Sequence, residues 1–134
     1  MAGTRQDPPA LNESAAISNA TVRLLAEYTG RGPTKARTYV HDDFVAVVVQ
    51  DALTKGEHSL MRDGKADLVM STRKAYQQTM RQDLVAAIEE ITGRTVLAFL
   101  SDNHADPDIG VECFVLAPRD GGAGAAATAE RAAS

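Results

Sequence analysis

The most polar stretch of the sequence is the segment 101–108, in which three carboxylates and one imidazole lie close together. Carboxylate oxygens and imidazole nitrogens are ligands for divalent cations, so a loop curled around an ion could bind it here. The segment lacks the Gly and the distal Glu of a calcium-binding loop, and its residue types are those that turns favour. A turn is therefore the preferred interpretation, and a metal site is the alternative. The candidate ligands are Asp102, His104, Asp106 and Asp108.

A second segment, 30–35, combines glycines with a Thr and two cations, as phosphate-binding loops do. A P-loop follows a strand and opens a helix, whereas this segment is predicted to follow a helix and enter a strand. Its cations, together with one on a later helix, could still bind an anion or an acidic partner. A solvated basic edge is the simpler interpretation. The candidate anion- or partner-binding residues are Arg31, Lys35, Arg37 and Arg73.

The remaining polar motifs do not indicate an enzyme. The run His41-Asp42-Asp43 is typical of a tight turn, and a metal-dependent hydrolase would need further ligands elsewhere. The single cysteine, Cys113, lies in a strand-like run, where we expect a buried, inert thiol. No Ser-His-Asp or Cys-His arrangement is visible. The sequence therefore favours a non-enzymatic protein and predicts no cofactor.

Composition and charge exclude several classes of partner. The 134 residues include 14 Lys and Arg against 18 Asp and Glu, which gives a net charge of -4 and no general attraction for nucleic acid. The longest apolar run, residues 44–49, is far shorter than the ~20 residues that a spanning helix needs. No signal peptide is evident. We expect a soluble, cytoplasmic protein that does not insert into membranes.

Apolar periodicity predicts a helix and a hairpin in the first half of the chain. From Asn12, apolar residues recur every three or four positions until Gly30, which is typical of an amphipathic helix that ends at a glycine. Residues 36–40 and 44–50 are rich in β-branched residues and flank a turn. The apolar run in the second strand indicates cover on both faces, by helices and a partner subunit, or a central position in the sheet. A homo-oligomer is therefore expected.

The second half repeats this order. Thr54 and Glu57 have capping-box spacing and predict a short helix, after which residues 66–91 contain no Pro or Gly and predict one long helix. Residues 95–100 and 109–116 alternate as strands do. The predicted fold is α+β: two β-hairpins form a mainly antiparallel four-stranded sheet that packs with an N-terminal helix, a short helix and one long helix. The predicted organisation is a disordered arm at 1–11, one domain at 12–117 and a disordered Gly/Ala-rich tail at 118–134.

Several short motifs occur in order along the predicted domain. They are Ile17-Ser18-Asn19-Ala20, Gly30-Arg31-Gly32-Pro33-Thr34-Lys35-Ala36-Arg37, Leu53-Thr54 with Glu57, Phe99-Leu100-Ser101-Asp102, Asp106-Pro107-Asp108-Ile109, and residues 112–116. In order and spacing they resemble the MpsC family, which is named for a proposed Na⁺-translocating system that generates membrane potential. The resemblance carries over no catalytic residues.

The resemblance implies a small soluble protein linked to that system. Because a chain with no spanning segment cannot itself conduct an ion, the implied role is that of a peripheral accessory or regulatory component of a membrane-associated complex. The alternative function is a divalent-metal-dependent enzyme or sensor that uses the segment 101–108.

Overall fold

The computed structural model describes the backbone of residues 9–119 and the side chains of residues 13–119. This part of the chain contains four helices and four antiparallel strands. This arrangement confirms the predicted α+β fold class. The elements in chain order are α1 (Pro9–Thr29), β1 (Lys35–His41), β2 (Phe44–Gln50), α2 (Lys55–Arg62), α3 (Ala66–Thr79), α4 (Arg81–Thr92), β3 (Val96–His104) and β4 (Ile109–Leu116).

The sheet joins the two predicted hairpins through their inner strands. Its order is β1-β2-β4-β3, and every neighbouring pair is antiparallel. The first hairpin turns at Asp42, whose φ of 51° is a left-handed conformation that Asp tolerates better than most residues. Strand β2 is paired on both edges and therefore lies in the interior of the sheet. This interior position explains its apolar sequence.

Within residues 9–119, all the helices that contact the sheet lie on one of its faces. Because side chains alternate across a strand, one set of β2 residues (Val45, Val47 and Val49) is buried beneath the helices together with Phe114 and Leu116 of β4. Helix α1 covers β1 and β2 and contacts α4, while α3 and α4 cover β3. The core lies between these two layers. Its helical members are Ile17, Leu24, Leu25, Met80, Leu84 and Ile88.

The long helix predicted over residues 66–91 is two helices that meet at Met80. The Met80 side chain is fully buried, and its ψ of -1° bends the chain. The hydrogen bonds continue across the bend, since the Met80 N–H bonds to Tyr76 O at 2.8 Å and the Leu84 N–H to Met80 O at 2.9 Å. With Met80 in the core, α3 and α4 each place their own buried face on the sheet. The prediction of a single helix was wrong because neither Pro nor Gly marks the bend.

Other boundaries differ by a few residues. Helix α1 begins at Pro9 rather than Asn12, since proline fits the first turn of a helix. The predicted loop 101–108 is shorter, because β3 continues to His104 and the turn occupies residues 105–108. Of the predicted arm and tail, residues 1–8 and 120–134 lie outside the described part of the chain.

Candidate functional site

Segment 51–53, which we call the junction, connects β2 to α2 and is held by Arg31 from the α1–β1 loop. The Arg31 guanidinium donates to the backbone oxygens of Asp51 and Leu53, the latter at 3.2 Å. It also pairs with Asp51 Oδ2 at 3.1 Å, and this hydrogen bond holds the pKa of the Asp51 carboxyl below its usual value. Arg31, predicted to bind an anion, therefore anchors the junction.

Arg73 holds the junction from the buried side. This arginine of α3 is 4% exposed and donates to Ala52 O at 2.6 Å. It forms a two-bond pair with Glu57, from Nε to Oε2 at 3.0 Å and from Nη2 to Oε1 at 2.5 Å. Burial alone would raise the pKa of Glu57, but the hydrogen bonds from Arg73 and Thr54 outweigh it and lower the pKa. The confirmed capping box of Thr54 and Glu57 thus also positions α2 against α3.

The β3–β4 turn reaches the same junction through Asp108. The Asp51 N–H donates to Asp108 O at 3.0 Å, and the Leu53 N–H donates to Asp108 Oδ2 at 2.9 Å. Three parts of the chain that are distant in sequence therefore meet at the junction: the 30–35 loop, Arg73 and the end of the 101–108 segment. Their contacts are mainly to each other and to backbone, so polar contacts from three parts of the chain hold the junction.

At the outer edge of the junction, one imidazole lies between two carboxylates. Asp51, His58 and Asp108 each contribute one potential ligand atom, and these three atoms lie within 4.8 Å of one another. His58 Nε2 is 3.7 Å from Asp108 Oδ2. All three residues are half-buried. This mixed set of nitrogen and oxygen donors suits a divalent transition metal.

The metal ligands predicted from the sequence are not brought together. Asp102 and His104 are exposed on β3, Asp106 is exposed in the turn, and only Asp108 joins the cluster at the junction. His104 Nδ1 contacts Pro107 O at 2.8 Å, so its local role is in the turn. Asp51 and His58 were missed because their proximity to Asp108 depends on the pairing of β2 with β4.

The second notable surface is the sheet face that the described helices leave uncovered, which we call the open face. Its large exposed side chains include Leu100, Tyr39 and Phe44, at 59%, 52% and 43% exposure. The strand register arranges the face in four rows, each with one residue from β1, β2, β4 and β3 in that order. The rows are Lys35-Gln50-Ile109-His104, Arg37-Val48-Val111-Asp102, Tyr39-Ala46-Cys113-Leu100 and His41-Phe44-Val115-Ala98.

The four cations predicted to form one site are divided between these two places. Lys35 and Arg37 lie on the β1 edge of the open face, beside a depression of about 570 Å³ that also involves Tyr39. Arg31 and Arg73 lie at the junction and are paired with carboxylates. An acidic group could approach Lys35 and Arg37 from solvent.

A buried polar group under α3 was not anticipated from the sequence. Glu112 of β4 is 1% exposed, and its Oε2 accepts from Gln77 Nε2 at 3.3 Å. Among the described residues, Glu112 Oε1 and the neighbouring Ser101 Oγ have no hydrogen-bond partner. Burial raises the pKa of Glu112 to about 7, although the hydrogen bond from Gln77 acts in the opposite direction. The apolar alternation of β4 gave no sign that its single carboxylate faces the core.

Residues 12–118 match the family model described as "Na+-translocating membrane potential-generating system (MpsC)". The match covers most of the chain, and the chain belongs to this family. No curated protein and no solved structure shows significant similarity to it. Within the part of the chain that the structure describes, no helix has the length and apolar character needed to cross a membrane.

Proposed function

We propose that this member of the MpsC family is a non-enzymatic accessory subunit of a Na⁺-translocating, membrane-potential-generating system. It acts from the cytoplasm as a peripheral component and binds its protein partner through the open face. The family assignment supports the link to the system, and the single observation that carries the binding role is the uncovered apolar sheet face.

The size and character of the open face favour protein binding. Four strands, taken over the seven residues along which β1, β2 and β4 pair, span about 19 by 24 Å, or about 450 Å² of plane. Apolar residues form the central part of this area, and the largest apolar patch on a protein surface is often functional. The centre of this face consists of Val48, Val111, Ala46 and Cys113, and charged residues lie only toward its edges. An apolar centre with a polar rim is the usual anatomy of a protein interface.

The junction supports a binding role for the open face rather than for the junction, because the guanidinium groups at the junction already have structural partners. Arg31 and Arg73 bind backbone oxygens and carboxylates that fix β2, α2 and α3 relative to one another. The pairing of β2 with β4 joins the two hairpins in one sheet, and the junction fixes the connection that follows β2 at the end of this ladder.

A matched pair of leucines tests the proposal in cells of the native organism. Leu100 on the open face and Leu68 on α3 are similarly exposed, at 59% and 53%. We expect deletion of the gene to lower the Na⁺-dependent membrane potential, and we expect the wild type and Leu68→Asp to restore it. Leu100→Asp should fail to restore it while accumulating as a folded protein. Full restoration by Leu100→Asp, or an unchanged potential after deletion, would contradict the proposed function.

A second candidate function is a divalent-cation sensor, favoured by the proximity of Asp51, His58 and Asp108. This cluster replaces the ligand set expected from the sequence. A metal that binds only the folded chain must raise the unfolding temperature. We expect Zn²⁺ or Mn²⁺ to raise it for the wild type and for His104→Ala, but not for His58→Ala. The same shift in His58→Ala, or none in the wild type, would exclude this sensor.

A further inference from the structure

We infer that the open face binds a second copy of this chain, with the two sheets face to face about a two-fold axis that runs along the strands between β2 and β4. This inference rests on the proposed function in one respect, since both use the open face. It adds the identity of the partner and the residues that pair.

One row of the open face carries opposite charges at its two ends. Arg37, Val48, Val111 and Asp102 form one row across the four strands. A cation therefore stands at the β1 end of the row and a carboxylate at the β3 end, with two valines between them. Both charged side chains are exposed in the single chain.

The proposed axis exchanges β1 with β3 and β2 with β4 while it keeps each row at its own level. Arg37 then faces the partner's Asp102, and the symmetry forms this pair twice. In the next row Tyr39 faces the partner's Leu100. Packed sheets incline by about 30°, which displaces the edge strands by only about 4 Å, within the reach of an arginine side chain.

The alternative in-plane axis, perpendicular to the strands, is less favourable. It would place each β1 strand over the partner's β1, so that Arg37 would face the partner's Tyr39. Asp102 would face the partner's Leu100 and would be desolvated without a cation, which is costly. Charge complementarity therefore favours the axis along the strands.

The remaining central pairs under the proposed axis are apolar. Small Ala46 faces the partner's Cys113, Val48 faces the partner's Val111, and the large Phe44 faces the partner's Val115. Two faces of about 450 Å² approach the lower limit for specific interfaces, so we expect a weak, reversible dimer.

Charge exchange in the purified full chain tests this geometry. By sedimentation velocity over a concentration series, we expect the wild type to dimerise. Arg37→Asp and Asp102→Arg should each raise the dissociation constant at least ten-fold, because each places like charges together twice per dimer. The double variant should recover most of the wild-type affinity, since its charges are complementary again. Arg23→Asp and Glu90→Arg, both on exposed helix surfaces, should leave it unchanged.

Three results would overturn the inference. They are a wild type that is monomeric at every concentration, a dimer that is insensitive to both single changes, and a double variant no better than the single ones. Circular dichroism of each variant establishes that it is folded. If the wild type is monomeric but Leu100→Asp still fails in cells, the open face binds a different protein, and the proposed function stands without the second copy.

Discussion

Arg73 donates a 2.6 Å hydrogen bond to the carbonyl oxygen of Ala52, on the buried side of the segment that Arg31 holds from the α1–β1 loop. The two arginines thus fix one short connection between β2 and α2. Both arginines are candidates for ligand binding from the sequence, but at the junction each binds backbone oxygen and a carboxylate of the chain itself. The open face, in contrast, presents side chains that the described chain does not cover.

The first prediction concerns the buried pair of Arg73 and Glu57. The Glu57 side chain is 12% exposed in the wild type. Arg73→Met removes the cation that pairs with it, so the free energy of unfolding should fall by about 3 kcal/mol or more. Urea denaturation measures this loss. Lys74→Met, at the neighbouring exposed position of α3, is the control and should change stability by less than about 0.5 kcal/mol. Equal effects of the two changes would show that the pair does not stabilise the fold.

The second prediction concerns the pH dependence that Glu112 creates. Its pKa is about 7 in the folded chain, above the ordinary glutamate value of 4.5, so the folded state retains a proton that the unfolded state has released between these pH values. Stability should therefore fall as pH rises from about 4.5 to 7, by on the order of 3 kcal/mol, and then level off. Urea titrations across pH 4.5 to 8 measure the slope.

Glu112→Gln isolates this effect, because the amide has the same shape and does not ionise. The variant should lose the part of the pH dependence that Glu112 causes, and its free energy of unfolding at pH 8 should exceed that of the wild type. Glu90→Gln on the exposed face of α4 should keep the wild-type slope. An unchanged slope in Glu112→Gln would mean that another group causes the pH dependence.

The third prediction concerns Arg94, which is 9% exposed between α4 and β3. It donates to Asp42 O at 3.0 Å and to Ala117 O at 2.7 Å, and it pairs with the Asp43 carboxylate. Arg94→Lys keeps the charge but loses the planar fork. The unfolding free energy should fall by about 2 kcal/mol in urea, with Arg23→Lys as the exposed control. A loss no greater than in the control would contradict this role.

Local sequence signals predicted the elements well. The capping box of Thr54 and Glu57 and the two hairpins depend on residues close together in the chain, and the structure contains them. The bend at Met80 was missed because it depends on burial in the core rather than on a helix-breaking residue.

The candidate site was predictable only in part. Arg31, Arg73 and Asp108 were singled out from residue type alone, but their meeting at the junction depends on the pairing of β2 with β4 and on the position of α3. The alternation of β4 indicated one apolar face that includes Val111 and Cys113. That face is the open one, because the other face of β4 carries Phe114 and Leu116 and binds the helices. Periodicity identifies faces but does not say which of two apolar faces remains uncovered.

The most direct test of the central claim, that a protein partner covers the open face, is the labelling rate of Cys113. This thiol is the only cysteine of the chain, and its pKa is raised by burial and by Glu112. The sequence predicted a buried thiol, but Cys113 is only half-buried, near the centre of the open face. Maleimide labelling at one fixed pH should be at least ten-fold slower in permeabilised native cells than in dilute purified protein, and Leu100→Asp should remove the difference. Equal labelling rates for the wild type in cells and in dilute solution would contradict the claim.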